Sequence, residues 1–411
     1  MKLGWEIKKL GEVCRVERGS SPRPIEKYVT NSEDGVNWIK IGDTKNVDKY
    51  IYTTKEKITK EGALKSRFVT EGDFILSNSM SFGRPYIMKT SGYIHDGWHL
   101  LKLQENIDNN FFFYLLSSPI VQEQFTTLAS GAIVKNISSD LVKKAILPIP
   151  PLAVQKRIVT VLDEAFKAID KVKNYTEKNL QNAKELFESY LQSVFTNRGD
   201  GWEEKKLIDI CVFKPQKKEA RDKLRETDNV TFLPMQDLGI LNKTIVGVKE
   251  KKMKVVISSY TYFANEDVLL AKITPCFENG KIGIARNLKN GIGFGSSEFI
   301  VLRSLGNVIS DYLYYFLSRN QFREEGKKLM SGAVGHKRVS KEWIENYSIP
   351  FPNSTKTQQI FVQKLDALSD ETIKLESIYL QKLKDLEELK KSILQKAFNG
   401  EFNISKEMEK V

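Results

Sequence analysis

Two stretches of this chain carry apolar residues at helical spacing. Positions 158, 162, 165, 169, 172, 176, 179, 183, 186, 190 and 193 step alternately by four and three. They read Ile, Leu, Ala, Ile, Val, Thr, Asn, Ala, Leu, Tyr and Ser, so eight of eleven are apolar, while Lys and Glu crowd the other faces. Positions 361, 365, 368, 372, 375, 379, 382, 386, 389, 393 and 396 repeat the pattern, again with eight of eleven apolar. This period predicts two long amphipathic helices with coiled-coil seams, neither containing a proline. Asn179 falls on the first seam, where burial would fix the register at some cost in stability. Helices of matched length bury their stripes most economically on each other. The alternative is that each lies flat on its own domain. A helix of about 40 to 45 residues is a rod of about 60 to 65 Å.

The rest of the chain reads as short strands. Val36–Ile41, Phe74–Leu76, Tyr86–Met88 and Leu100–Leu103 are apolar runs between Gly-, Ser- and Asp-rich turns, and Phe111–Leu116 with Val121–Phe125 suggests a helix pair. Val230–Leu233, Val268–Ile273, Ile282–Ala285 and Phe299–Leu302 repeat the strands, and Asp311–Leu317 repeats the helix. The chain is in fact written twice. Gly4-Trp5-Glu6 returns as Gly201-Trp202-Glu203, Ser130-Gly131-Ala132 as Ser331-Gly332-Ala333, and Leu191-Gln192-Ser193-Val194-Phe195 as Leu394-Gln395-Lys396-Ala397-Phe398. So long a period means two whole domains rather than a solenoid. The expected organisation is a first head at 1–150, a helix at 151–197, a second head at 198–352, a helix at 353–400 and a tail at 401–411. The fold class is α+β: two similar α/β heads joined by two long antiparallel coiled-coil helices, pseudo-two-fold and pseudo-cyclic. Such a rod would hold the two heads about 60 Å apart.

Charge adds a partner to this picture. The 411 residues carry 64 Lys and Arg against 52 Asp and Glu, a net charge of +12. Such a basic balance favours a polyanion, nucleic acid first. No apolar run is long enough to span a membrane, and no secretory signal is expected from the opening residues. Cys14 and Cys211 follow apolar residues at equivalent places, which suggests a repeated buried position; Cys276 has no counterpart. Neither disulfide nor metal use is expected, and a cytoplasmic location fits.

The order of these segments resembles the specificity subunit of type I restriction–modification systems. The residues that carry the resemblance are Ile149-Pro150-Pro151-Leu152-Ala153-Val154-Gln155-Lys156-Arg157-Ile158, with Ile349-Pro350-Phe351-Pro352 and Gln358-Gln359-Ile360 as a degraded copy. Glu71-Gly72-Asp73-Phe74-Ile75-Leu76-Ser77 and its echo Asn265-Glu266-Asp267-Val268-Leu269-Leu270-Ala271 lead into equivalent strands. The resemblance implies heads that are target recognition domains, each reading one half of a split double-stranded DNA sequence. It implies helices that set the spacing and dock two methyltransferase subunits, with restriction subunits carrying the nuclease and motor. Pro150, Pro151, Gln155 and Arg157, with Pro350, Pro352, Gln358 and Gln359, are the implied partner-binding residues. The chain departs from the pattern at Asn353-Ser354-Thr355-Lys356-Thr357, so the second joint is expected to grip its partner differently.

No catalytic constellation accompanies this. There is no phosphate-binding Gly-x-x-x-x-Gly-Lys-Ser/Thr loop. The double proline follows Ile149, so no Asn/Asp-Pro-Pro-aromatic loop is offered to an adenine. His95 and His99 are four apart, but Gly97 and Trp98 place them in a strand-like segment, and no zinc site is expected. A non-catalytic chain without cofactors is the expectation. Its DNA-binding candidates lie on loops beside strand ends. Ser77, Asn78, Ser79 and Arg84 are the candidates in one loop of the first head, matched by Lys272, Thr274 and Lys281 in the second. Lys135 and Asn136 form a second loop, matched by His336, Lys337 and Arg338. Asn can read adenine, Arg can read guanine, and Lys and hydroxyls suit phosphate. A basic stretch, Lys214, Lys217, Lys218, Arg221, Lys223 and Arg225, could track a DNA backbone, though Glu219 and Asp222 interrupt it. The competing reading is a two-headed protein-interaction scaffold whose charge is incidental.

Overall fold

The structure is a computed structural model and describes residues 4–78, 83–104, 106–129, 137–333 and 335–402. It divides into two compact units, one of residues 1–177 with 381–411, the other of residues 178–380. Each long helix therefore contributes one half to each unit.

The first unit is built on a five-stranded sheet ordered Cys14–Arg18, Trp98–Leu103, Phe74–Ser77, Pro85–Met88, Tyr50–Ile51. A second five-stranded sheet runs Val29–Thr30, Glu56–Ile58, Val36–Ile39, Gly92–Ile94, Arg67–Val69. A two-stranded ribbon pairs Glu6–Lys9 with Ile146–Ile149. Phe74–Ser77 is buried along its whole length, which explains why it reads as a continuous apolar run rather than an alternation. Helix Asn109–Ser117 covers this sheet. Asp108 caps it by accepting from the Phe111 N–H at 2.9 Å, and Phe111 to Leu116 are all buried.

The second unit repeats the design. Its framework sheet is ordered Cys211–Phe213, Phe299–Ser304, Val268–Ala271, Ile282–Ile284, and its other sheet Lys249–Lys252, Asn229–Leu233, Ile292–Gly295, Thr261–Ala264. Strand for strand this matches the first unit, which adds one edge strand to each sheet. Both units also keep the single parallel pairing at the same place in the second sheet, Val36–Ile39 with Gly92–Ile94 and Asn229–Leu233 with Ile292–Gly295. Asp73 and Asp267 explain the repeated lead into the central strand. Each carboxylate accepts from the backbone N–H three residues earlier, Thr70 at 2.9 Å and Ala264 at 2.8 Å, and so closes the turn. Gly72 sits in that turn at φ +89°, and its counterpart Glu266 holds the left-handed region at φ 68°.

The long helices run from Leu152 to Thr196 and from Thr355 to Phe398. Within the first unit Lys173 pairs with Glu387 at 3.0 Å and Lys390 with Asp170 at 2.6 Å; within the second, Lys184 pairs with Glu376 at 3.5 Å. Partner numbers fall as residue numbers rise, so the helices are antiparallel. Exposed pairs of this kind contribute at most about 1 kcal/mol each, and the apolar stripe does most of the holding. That stripe follows the sequence pattern as far as Ile169 and Thr372, and beyond them every second position moves on by one residue. Positions 173, 176, 180, 183, 187 and 190 are buried or half-buried, whereas Val172, Asn179 and Leu186 are exposed. The second helix shifts identically, to 376, 379, 383, 386, 390 and 393, leaving Leu375 and Leu389 exposed. Two successive steps of four correct the drift between a 3.5-residue repeat and the 3.6-residue turn of a straight helix. Asn179 is thus no buried register pin, contrary to expectation.

Each helix end finishes a core. Phe398 stacks edge-on against Phe111, ring centroids 5.5 Å apart, in the first unit. Phe195 does the same against Tyr312 and Phe316, at 5.0 and 5.2 Å, in the second. Cys14 and Cys211 are buried at equivalent places, as their flanking residues suggested, and burial pushes both thiols up to about 12.

Candidate nucleic-acid interface

The loop candidates of the first head divide into residues turned inward and one at the surface. Ser77 is fully buried; its Oγ accepts from the Arg84 N–H at 3.1 Å and closes the hairpin between two framework strands. Asn78 is 1% exposed and donates its amide to the Asp96 carbonyl at 2.8 Å. Both were expected to meet DNA, and neither presents surface to do so: their polar atoms are engaged by the backbone at Arg84 and Asp96. Arg84 stays exposed. It reaches Asp48 at 3.2 Å and the Val47 carbonyl at 3.0 Å while lying over the Tyr86 ring. Ser79, Lys135 and Asn136 lie outside the described residues.

In the second head the two candidate loops are brought together. Thr274 N–H donates to the Lys337 carbonyl, and Val339 N–H to the Lys272 carbonyl, both at 2.9 Å. His336 and Lys337 are exposed beside Gly335, which turns at φ +80°. Three other candidates are engaged within the chain. Arg338 forms two parallel bonds to Glu298 at 2.9 and 2.8 Å, so its fork is already filled by a carboxylate. Lys281 donates to the Met235 and Gln236 carbonyls at 2.8 and 3.1 Å. Thr274 donates its hydroxyl to Glu278 at 2.7 Å.

The basic stretch from Lys214 to Arg221 runs along a cleft on the second unit, which Lys223 and Arg225 do not line. The cleft encloses about 720 Å3 and is lined by Lys214, Lys217, Lys218, Arg221, Lys272 and Lys341, with Ser259, Thr261 and Ser297 among them. Helix Lys218–Lys223 shows why a basic stretch broken by acids still makes a basic wall. Its Glu219 turns inward to Arg303 at 2.5 Å and Tyr262 at 3.1 Å, and neither Glu219 nor Asp222 lines the cleft. Lys341, over a hundred residues away in sequence, could not have been assigned to this wall from spacing.

The histidines hold the first head together. His99 is fully buried, with Nε2 donating to the Ile137 carbonyl at 3.0 Å and Nδ1 facing the Ser139 hydroxyl at 3.3 Å. His95 faces the Ile41 N–H at 3.1 Å and the Gly97 N–H at 2.8 Å. Burial holds both imidazoles below their ordinary value. Among the described residues no three His, Cys, Asp or Glu side chains are grouped to hold a metal.

At the joints, Gln155 and Gln358 are structural clamps rather than partner-facing groups. Gln155, 1% exposed, accepts from the Asp108 N–H at 2.9 Å and donates to the Pro150 carbonyl at 2.9 Å. Gln358, fully buried, accepts from the Ile309 N–H at 2.9 Å and donates to Pro352 at 2.9 Å and Asn307 at 2.8 Å. Each ties the start of a long helix to the loop before the helix that covers the sheet. Pro150, Pro350 and Pro352 are buried, also unsuited to partner contact, whereas Pro151, Arg157 and Gln359 are exposed. Leu152 and Thr355 are equivalent, each starting its helix three residues before its clamp glutamine, despite the divergent Asn353–Thr357 segment.

Comparison with known proteins agrees with this layout. The family model described as the type I restriction modification DNA specificity domain matches twice, over residues 2–181 and 199–385. The chain is 36% identical over 174 residues to the type I restriction enzyme EcoAI specificity subunit of Escherichia coli, a match covering 41% of this chain and 28% of that protein. The match to the EcoEI specificity subunit, also 36% identical, spans 27% of that protein. The putative MjaX specificity subunit of Methanocaldococcus jannaschii is 25% identical over 97% of this chain and 94% of its own length. The fold is shared with a solved chain from work on complex assembly and conformational transition of the type I R-M system, with TM-score 0.75 and 19% identity over 97% of this chain and 98% of that one. It is shared also with the HsdS subunit of Thermoanaerobacter tengcongensis, with TM-score 0.58 and 20% identity over the same shares. With its framework written twice and the family's domain matched in both halves, the chain belongs to the type I restriction modification DNA specificity family.

Proposed function

We propose that this chain is the non-catalytic DNA-recognition subunit of a type I restriction–modification complex, with each head reading one half of a split, asymmetric target. The observation that carries this reading is the contrast between framework and lining. The sheets match strand for strand, while the polar residues at equivalent places differ, as two readers of unequal half-sites require. The long helices set the gap between half-sites and dock methyltransferase subunits, to which restriction subunits add. Exposed apolar residues along them, such as Leu186, Ile373, Ile378 and Leu380, support a protein partner on these faces.

The test is co-expression with a methyltransferase subunit and mapping of methylated adenines on host DNA. One split motif with a fixed gap is the expected result. A well-formed complex that methylates nothing, or methylates without a motif, would instead favour a two-headed interaction scaffold.

A further inference from the structure

The basic cleft of the second unit shares two walls with a cleft of the first, and differs in the rest: Ser259 to Tyr262, Lys272 and Lys341 in the second, Trp38 and Lys40 in the first. Both open between the segment following the first framework strand, after Arg18 or Phe213, and the turn leading into Trp98–Leu103 or Phe299–Ser304. Their linings differ in charge. In the first unit the cleft of about 590 Å3 holds Arg23, Lys40 and His95 beside Trp38. There Arg23 meets Asp96 at 3.4 Å and Lys40 meets Glu56 at 2.6 Å, so its cations are answered within the chain. In the second unit Lys214, Lys218 and Arg221 make no ion pair among the described residues, and Lys217 donates only to the Ser258 carbonyl, at 3.0 Å. The cleft's other two cations are answered within the chain, Lys272 by Glu298 at 4.0 Å and Lys341 by Glu345 at 2.6 Å, and Glu219 is held by Arg303 at 2.5 Å, so the uncompensated charge lies on Lys214, Lys217, Lys218 and Arg221.

Two details fit a site that expects an anion. Lys214 holds the left-handed region at φ 58°, which a non-glycine residue adopts only where the surroundings hold it. Burial first, and then the like charges of Arg221 and Lys214, lower the Lys217 ammonium from its ordinary value. The chemistry of the lining indicates which part of DNA enters. All of its cations but Arg221 are lysines, flexible point charges that suit phosphate oxygens and lack the fork that reads a base edge in two bonds.

Resting on the DNA-recognition reading above, we propose that the cleft of the second unit grips the sugar–phosphate backbone of double-stranded DNA irrespective of sequence, and that the cleft of the first unit does not. The chain then has a strong anchor on one half-site and none at the same place on the other.

The experiment uses the full chain in complex with its co-expressed methyltransferase subunit, in three forms: unmodified, Lys218→Gln with Arg221→Gln, and Arg23→Gln. Glutamine is a good helix former, so the helix Lys218–Lys223 keeps its propensity. Affinity is measured over a range of salt on a duplex carrying the methylation motif and on one without it, and the motif is mapped for each form. The double variant is expected to weaken binding to both duplexes by a similar factor, on the order of tenfold. It should reduce the slope of log affinity against log salt by about two, since each phosphate contact contributes about 0.9. Its motif should be unchanged, and Arg23→Gln should leave the slope as it was. An unchanged slope in the double variant overturns the proposal, and so does a change confined to the bases of one half-motif, which would make the cleft a base reader. If the unmodified complex shows no motif at all, the recognition reading fails, while the slope on plain duplex still decides the cleft.

Discussion

Gln155 and Gln358 show how one buried amide can be mistaken for an interface. Each bonds backbone groups that would otherwise be orphaned at a helix start. Gln155→Ala or Gln358→Ala should cost about 1–3 kcal/mol per unsatisfied buried group left behind, read by denaturant unfolding. A variant of full stability but weakened partner docking would restore the partner-binding role. The histidines make a second residue-scale prediction. Because burial lowers the His99 pKa, the unfolded chain binds the proton more readily. Stability is therefore full above the free imidazole value of about 6.5 and falls as pH drops below it. The decline between pH 7 and 5 should be shallower in His99→Gln, with His95 supplying what remains; an identical decline would contradict the burial argument. The thiols offer a third check. With Cys14 and Cys211 buried and their ionisation pushed up, a maleimide should label the native chain at Cys276 alone by mass spectrometry.

Among the elements, periodicity revealed the most and also set its own limit. The two helices followed from a stripe of apolar residues, and the framework strands from apolar runs such as Phe74–Leu76, whereas the antiparallel sense is read from ion pairs that no stripe encodes. What a fixed 4–3 step could not show was the extra step of four after Ile169 and Thr372, since Val172 and Leu375 are themselves apolar and satisfy the count while facing solvent. The loops were less legible for a related reason. Ser, Asn and Arg look alike in sequence whether they meet a ligand or, as in Ser77, Asn78 and Arg338, complete a turn or an internal ion pair. The helices carry a prediction of their own. Removing seven residues from each, at equivalent positions, keeps the stripe in phase and shortens each rod by about 10 Å. The gap in the methylated motif should shrink by about three base pairs at 3.4 Å each, with both half-motifs unchanged. Altered half-motifs would show that the helices do more than set the spacing.

For the molecule as a whole, two units with separate cores should fail separately. Phe398→Ala should destabilise the first unit, and Phe195→Ala the second, by about 3–5 kcal/mol each. Hydrogen exchange would show protection lost in one core only; loss in both would mean that the units unfold as one. Recognition should divide in the same way, substitutions within residues 70–100 changing one half of the motif and leaving the other. The return of Phe398 to the core of the first unit also has a consequence for how the protein is made. A ribosome completes all of residues 178–380 before it supplies the residues that close the first core, so the head begun first is finished second. Until then its Phe111 face is uncovered and open to the wrong neighbour, the Phe195 end of its own chain or a newly made copy. A stop codon near position 380 would spare every residue of the later head and leave the earlier one permanently ajar.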